Sequence, residues 1–491
     1  MSDRRGFILI TTFIMMIVLT VMVSSVLFLL NSEIKDTGGQ IDDYKLLALA
    51  DAGVDRGYRA LRDDYDTTTQ TGVADLRGGD TALSLSMTNP TNLYYIDTSY
   101  ATINNNADQA IIRNFDSNYI NTNIVSVIPY VQAGRATGGS GSTIVFSYTL
   151  DGASYTTLLT QALPNSTALV NYPGTAIAGL TWAQIISPNF RLRTIRTAGN
   201  RNAYIGSMYL RITYSVDTLT EPWATGSYAA FPISLGDGSI QSSVITDEAS
   251  KIHLNYASQA LIQNLLTNLS IANAATKAAD IVTYRGAALA NPFDSVVELQ
   301  RVASITAADY TAIKDYFTVY SYVNQNCYNS HVVGSTPVPR APVNINTAPL
   351  NTLKAIFDPL GLGVGDSTSL ANAIITRRNS TPFTCFYSSN AAVTTDLVDF
   401  VNSQAYLTTA ERNTVQDNAD PSLLAPISGF TNAVQTTELC YAGIAFNINS
   451  LARIGAQNFR VNTMRNSSGG STFTNYVSDT SSVGWRAENF E

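Results

Sequence analysis

From Phe7 to Leu30 the chain runs 24 residues without a charge, directly behind Arg4, Arg5 and Gly6. As a helix rising about 1.5 Å per residue this run is ~36 Å long, enough to cross a bilayer. A secretory signal has an apolar core of only about 7–15 residues and a small-residue cut site behind it. Neither condition is met, so cleavage after the run is not expected. Two arginines precede the run, whereas Glu33, Lys35 and Asp36 behind it nearly cancel. The positive-inside bias therefore keeps the short N-terminus cytoplasmic and exports everything beyond the run. A plain signal anchor satisfies the same facts.

The rest of the 491 residues is poor in charge: 29 Lys+Arg and 37 Asp+Glu make 13%, against about 25% in a typical soluble domain. The deficit is filled by Ser, Thr, Asn and 26 tyrosines, a surface that suits an exported protein. At roughly 150 residues per domain the length suggests two or three domains. A net charge of -8 argues against a polyanion-binding protein overall, because affinity for nucleic acid comes mainly from Lys/Arg contacts to phosphate. His253 and His331 are the only histidines, and no metal-spaced cluster, Gly-x-Ser-x-Gly elbow or phosphate loop occurs. An enzyme is not expected.

Behind the apolar run, Leu47, Val54 and Leu61 recur at sevens with Tyr44, Ala50 and Tyr58 on the same stripe. This is an amphipathic helix that should pack on a sheet. Gly38-Gly39 marks an expected bend or local unwinding between the two halves. From about 63 to 245 the pattern is strand and loop. Ile144–Leu150 and Leu210–Val216 alternate apolar and polar residues as half-buried strands do. Gly138-Gly139-Ser140-Gly141 belongs to long loops that read as an enlarged insertion over about 70–200. Arg191, Arg193, Arg196 and Arg201 make one segment basic. The solvated face of a strand is the expectation, with an anion, polysaccharide or acidic-partner contact as the alternative.

The most specific internal feature is a repeat. Asp247-Glu248 through Lys251-Ile252-His253-Leu254-Asn255 leads into helical sequence ending at Tyr284-Arg285, then Pro292-Phe293. Some ninety residues later, Val343-Asn344-Ile345-Asn346-Thr347-Ala348-Pro349 leads into helices ending at Arg377-Arg378, then Pro382-Phe383. Asn346 and Thr347 offer N-cap oxygens, Pro349 suits a first helical turn, and Leu350, Leu353, Ile356 and Phe357 form one apolar face.

Arg5-Gly6-Phe7 at the mouth of an apolar helix resembles the site cut by prepilin peptidase in type IV pilins and type II secretion pseudopilins. Ala48-Leu49-Ala50-Asp51-Ala52-Gly53-Val54 resembles the stretch that ends the N-terminal helix of that family. The family's major subunits carry Glu at the fifth mature residue, where it offsets a neighbour's N-terminal ammonium inside the apolar filament core. Here that residue is Thr11, and the missing acid is typical of the K-type minor pseudopilin. The Asp247–Asn255 and Asn344–Pro349 segments resemble the hallmark of that subunit's inserted helical domain, with His253 standing where Asn is usual. Phe459–Arg465 and Val483–Glu488 resemble its closing strands.

The resemblance implies an α+β, type IV pilin-like fold: a long N-terminal helix on an antiparallel sheet, with a large inserted α-helical domain of duplicated helix-hairpin-helix, SAM-like halves. Its implied divisions are a leader 1–6, a transmembrane and filament-core helix 7–30, an amphipathic continuation 31–62, and a β-rich head with its insertion 63–245. A helical domain 246–425, with repeats at about 246–325 and 340–425, and closing strands 426–491 complete it. Phe7 would be the mature, N-methylated end of an inner-membrane subunit whose head lies in the periplasm. The implied function is non-catalytic: capping or initiating the pseudopilus tip. The implied partners are prepilin peptidase, other minor pseudopilins, the major pseudopilin, secreted substrate and the outer-membrane secretin. A minor tip pilin or adhesin of a type IV pilus is the alternative. The family also implies Ca2+, whose ligands stay unplaced: Asp396, Asp399, Asp417 and Asp420 match no spaced loop. Cys327, Cys385 and Cys440 allow one disulfide; Cys327 with Cys385 would close a loop of about sixty residues, worth ~4 kcal/mol. Which two pair stays open.

Helix-hairpin-helix DNA-binding modules share the Asn-x-Asn-Thr-Ala start. Leu360-Gly361-Leu362-Gly363 would then be the phosphate-cradling hairpin, with Lys354, Arg377 and Arg378 as cations. The first copy has no such glycines and its surroundings are not basic, so DNA is not the expected partner.

Overall fold

A computed structural model describes residues 4–67, 71–94, 99–106, 108–115, 123–286, 289–321, 323, 341–384, 396–419, 439–443, 445–466 and 471–478. Helix α1 (Arg4–Thr67) is unbroken through Gly38-Gly39. Two glycines cost a helix only about 1 kcal/mol each relative to Ala, which does not interrupt one whose far half is fixed by packing. Thr12–Glu33 is the one helical stretch, among the described residues, long and apolar enough to cross a membrane, and none of it is buried. Further along, Leu46, Ala50, Val54 and Leu61 are buried against Ile245, Phe446, Ile448, Ala452 and Val461. Leu47 and Tyr58 pack against the same core half-buried, and of the expected stripe Tyr44 alone lies in solvent. Gly53 and Gly57 lie on that stripe. A Cβ on Gly53 would stand 2.1 Å from Ser450 Oγ, and one on Gly57 2.9 Å from Ser243 Oγ, so the helix sits closer to its sheet than a side chain would allow.

Next comes a two-layered sandwich of nine strands among the described residues: β1 (Thr71–Asp80), β2 (Ala101–Ile103), β3 (Gln109–Phe115), β4 (Ile124–Arg135), β5 (Ser142–Thr149), β6 (Thr156–Ala162), β7 (Val170–Pro173), β8 (Arg191–Gly199) and β9 (Ala203–Ser215). The order is β6-β5-β8-β3-β1-β9-β4-β7, with β2 also on β9. β1 turns the corner: residues 71–77 pair with β9, Gly78 and Asp80 with β3. The two layers bury Ile144, Phe146, Leu192 and Phe190 against Val127, Val131, Leu210 and Ile212, and Thr194 donates to Met208 Sδ across the gap at 3.1 Å. Helix α2 (Trp182–Ile185) caps one end with Trp182 and Ile185 buried. The span 63–245 therefore contributes to two sheets. The alternating strands expected around 144–150 and 210–216 belong to the sandwich, and what joins the helix's own sheet begins later.

After α3 (Pro222–Thr225), strands β10 (Ile233–Leu235) and β11 (Gly238–Asp247) enter that second sheet. The helical insert follows. Its first half runs β12 (Ile252–His253), α4 (Gln259–Asn268), α5 (Ala274–Arg285), α6 (Ala307–Ile313) and β13 (Phe317–Thr318). Its second runs β14 (Val343–Asn344), α7 (Leu350–Phe357), α8 (Asp366–Ser380), α9 (Leu397–Asn402), α10 (Thr409–Ala419) and β15 (Leu439–Cys440). Each half closes on a parallel two-residue ladder, β12 with β13 and β14 with β15. Strands β16 (Ala445–Ile454), β17 (Gln457–Asn466) and β18 (Ser471–Ser478) then complete the antiparallel order β10-β11-β16-β17-β18. The chain is thus a mixed α/β protein with antiparallel sheets and an apolar N-terminal helix. Phe459–Arg465 falls in β17; Val483–Glu488 lies outside the described residues.

Candidate functional site

The junction of α1, the sandwich and the insert begins at Asp247, the last residue of β11 and 2% exposed. Its carboxylate accepts from Ala249 N (2.8 Å), Asn344 Nδ2 (2.8 Å) and Thr347 Oγ1 (2.6 Å). Burial pushes this acid up to about 6 while those three donors hold it down. Thr347 and Asn346 were expected as helix caps. Instead Pro349 occupies the N-cap of α7 with no side-chain bond, because both polar side chains are taken by longer-range clamps.

The clamps reveal the duplication atom by atom. Asn346 accepts from Phe383 N (2.8 Å) and donates to the carbonyls of Phe383 (2.8 Å) and Tyr441 (3.2 Å). In the first half Asn255 accepts from Phe293 N (2.8 Å) and donates to Phe293 O (2.9 Å). Arg378 donates to Ile345 O at 2.7 Å, and Arg285 donates to Leu254 O and Ala257 O. Each Pro-Phe turn is therefore held to its strand end by one asparagine, and each terminal arginine reaches back to the same place. His253 matches Asn344: its Nδ1 accepts from Asn255 N at 3.2 Å, as Asn344 Oδ1 accepts from Asn346 N at 3.0 Å. Burial, with the Arg285 guanidinium nearby, pulls the imidazole down to about 4, so it is a neutral acceptor with a structural task.

Beside Asp247 lies a carboxylate cluster that no spacing rule found. Asp64 comes from the end of α1, Asp217 from just past β9, and Glu221 from the N-cap of α3, and their oxygens lie within 4.8 Å of one another. Asp217 accepts from Gly443 N at 2.7 Å; Glu221 accepts from Thr218 N (2.6 Å) and Trp223 Nε1 (3.0 Å). A Cβ on Gly443 would stand 2.3 Å from Asp247 Oδ1, so this glycine is wedged between the Asp247 and Asp217 carboxylates. Burial and mutual repulsion push Asp217 well up, and burial with Asp64 pushes Glu221 to about 8. Three hard oxygen donors that repel one another suit a divalent cation such as Ca2+, with water completing the shell. Asp217 and Glu221 are near neighbours in sequence, but Asp64 lies on α1 far upstream, and two acids at that spacing match no metal loop. Of the acids considered from sequence, Asp396 caps α9 by accepting from Asp399 N at 2.7 Å, Asp417 lies in α10, and Asp420 lies outside the described residues.

Gly6, Phe7 and Thr11 stand in the first three turns of α1, and of their side chains nothing is described. Cys327 and Cys385 lie outside the described residues; Cys440 is buried on β15. In the glycine hairpin, Gly363 N donates to Glu411 Oε1 at 2.6 Å, which places a carboxylate where a phosphate would have to sit. Arg378 is buried on Ile345 O, and Arg377 bonds Thr381 O at 2.7 Å.

No protein-family model matches the sequence, and no characterised protein matches it in sequence. In structure the chain is similar to the GspK-GspI-GspJ complex from the enterotoxigenic Escherichia coli Type 2 Secretion System, at 15% identity over 53% of this chain and 86% of that one, with a TM-score of 0.32. It is also similar to CBM32 of AlyQ in complex with 4,5-unsaturated mannuronic acid, at 17% identity over 28% of this chain and 97% of that one, TM-score 0.19. The CBM22-1 xylan-binding domain of Paenibacillus barcinonensis Xyn10C gives 12% identity over 30% and 90%, TM-score 0.19.

Proposed function

We propose that the chain is a K-type minor pseudopilin, a non-catalytic subunit that caps or initiates the pseudopilus tip of a type II secretion system. The observation that carries this reading is the architecture of the host unit: one helix, bare and apolar in its first half, seated in its second half on an antiparallel sheet whose adjacent strands β11 and β16 are separated by a duplicated helical insert. Prepilin peptidase would cut between Gly6 and Phe7. The N-terminus would stay cytoplasmic, with the head periplasmic and α1 serving as inner-membrane anchor and later as filament core. Neutral Thr11 and a broad head both suit a subunit with nothing stacked above it. Partners would be the other minor pseudopilins and the major one, with secreted substrate or the secretin beyond the tip. Intact mass is expected to match a chain that starts at Phe7 with one added methyl, and Gly6→Ala to leave the full-length chain; a wild-type mass that retains Met1–Gly6 would overturn the processing step.

The sandwich, a sheet distinct from the one that seats α1, favours a second reading as a tip pilin or adhesin of a type IV pilus. Co-purified partners separate the two: pseudopilins for the first, pilins and adhesion ligands for the second. For the cofactor, Asp64, Asp217 and Glu221 are the Ca2+ ligands in this reading. Calcium at about a hundredfold its Kd should stabilise the folded chain by roughly 2–3 kcal/mol, read as a rise in melting temperature, and Asp217→Asn should remove most of that rise. An equal rise in the variant would separate calcium from this cluster.

A further inference from the structure

The outer face of the sandwich's β8 layer carries a charge pattern that the export reading does not use and on which it does not depend. Along β8, Leu192 and Thr194 are buried inward, while Arg191 and Arg193 are half-buried on the opposite face. Arg113 on β3 stands directly opposite Arg191 in the antiparallel register. Like charges placed so destabilise a ladder, and here three guanidinium groups share one patch. Only Arg113 has an acid to itself: Asp80 accepts from its Nε at 2.7 Å. Among the described residues no carboxylate lies within ion-pair distance of Arg191 or Arg193. The nearby Asp151 is turned to its own loop, accepting from Thr149 Oγ1, Ala153 N and Ser154 N at 2.7–2.8 Å.

Both unmatched groups are nevertheless held in place. Arg191 donates Nη1 to Gly152 O at 2.9 Å. Arg193 reaches Ser147 Oγ at 3.4 Å, and its guanidinium lies 3.5 Å from the centroid of the Tyr155 ring. A fixed guanidinium loses little further freedom on binding: Arg191, its Nε buried and its Nη1 on Gly152 O, keeps Nη2 for a carboxylate, and Arg193, held through Nε, keeps its two terminal nitrogens for a two-point contact. Residues i and i+2 of a strand are about 6.6–6.8 Å apart, the same interval that separates alternate side chains of any extended peptide. We propose that this face binds an acidic polypeptide segment in extended form, with carboxylates on alternate residues meeting Arg191 and Arg193. The net charge of -8 repels such a segment from the rest of the surface, which confines it to this patch.

The test uses the full-length chain in nonionic detergent and a fluorescein-labelled peptide of alternating Glu and Thr, followed by anisotropy at low salt. The Glu-Thr peptide is expected to bind at least about tenfold more tightly than its Gln-Thr counterpart, and Arg191→Gln with Arg193→Gln to lose about tenfold. Arg59→Gln, on an exposed arginine of α1, should change nothing. The Lys double variant, Arg191→Lys with Arg193→Lys, should fall between, and it decides the matter if the Gln variant does not fold; unweakened binding by it would overturn the two-point contact. Equal affinity for the Glu and Gln peptides would overturn the proposal. So would polygalacturonate binding through the same two arginines without competition from the peptide, since the ligand would then be an acidic polysaccharide.

Discussion

Asn346→Ala is expected to cost roughly 3–5 kcal/mol of stability, because it strands the Phe383 N–H and the carbonyls of Phe383 and Tyr441 in the interior. Its counterpart Asn255→Ala should cost less, about 1–3 kcal/mol, since that clamp makes two side-chain bonds rather than three and is half-buried. Denaturant titration of the two variants side by side reads the difference. Equal losses would mean that the third bond, to Tyr441 O, and the deeper burial of Asn346 add nothing to its clamp.

His253→Asn should make the chain more acid-tolerant. The unfolded chain protonates this imidazole below pH 6.5, whereas the folded chain resists until about pH 4, where burial and Arg285 finally yield. Between those values the unfolded state binds more protons, so the wild type loses stability as pH falls through the window, by roughly 3 kcal/mol in full. Asn, the residue at the matching place in the second half, has no such proton to take up. Asp247, pushed in the opposite sense, contributes equally to both proteins. The stability difference between variant and wild type should therefore grow by about 3 kcal/mol from pH 7 to pH 4; a difference that stays constant would remove His253 from the acid response.

The repeat was legible because its parts are local signals: an asparagine at a strand end, an arginine closing a helix and a Pro-Phe turn recur in the same order. The apolar stripe of α1 was legible too: Ala50, Val54 and Leu61 are buried where expected and Leu47 and Tyr58 pack against them, while Tyr44 lies in solvent. Strand partnership was not. Alternation in Ile144–Leu150 or Leu210–Val216 reports a half-buried strand but not which sheet accepts it. Asn346 and Thr347 have the chemistry of caps, and only the fold reveals that Phe383, Tyr441 and Asp247 compete for them. The carboxylate cluster had no usable sequence signal, since Asp217 and Glu221 share one short segment after β9 and Asp64 joins them only once α1 has docked there. Glu411 likewise reaches Gly363 from another helix, and a glycine hairpin read alone gives no warning of it.

Asp247 and Phe446 are cross-strand neighbours, so the whole helical insert leaves the sheet and returns to it at adjacent points. Topologically it is an overgrown hairpin loop. Its two stumps are already in register, so the path of the five strands is indifferent to what is carried between them. Cargo whose ends meet, and which also covers the sandwich surface that shares a core with the insert, could be exchanged there without rethreading the sheet or lifting α1 from it. The scaffold that seats the helix and the insert it carries therefore keep separate cores within one polypeptide.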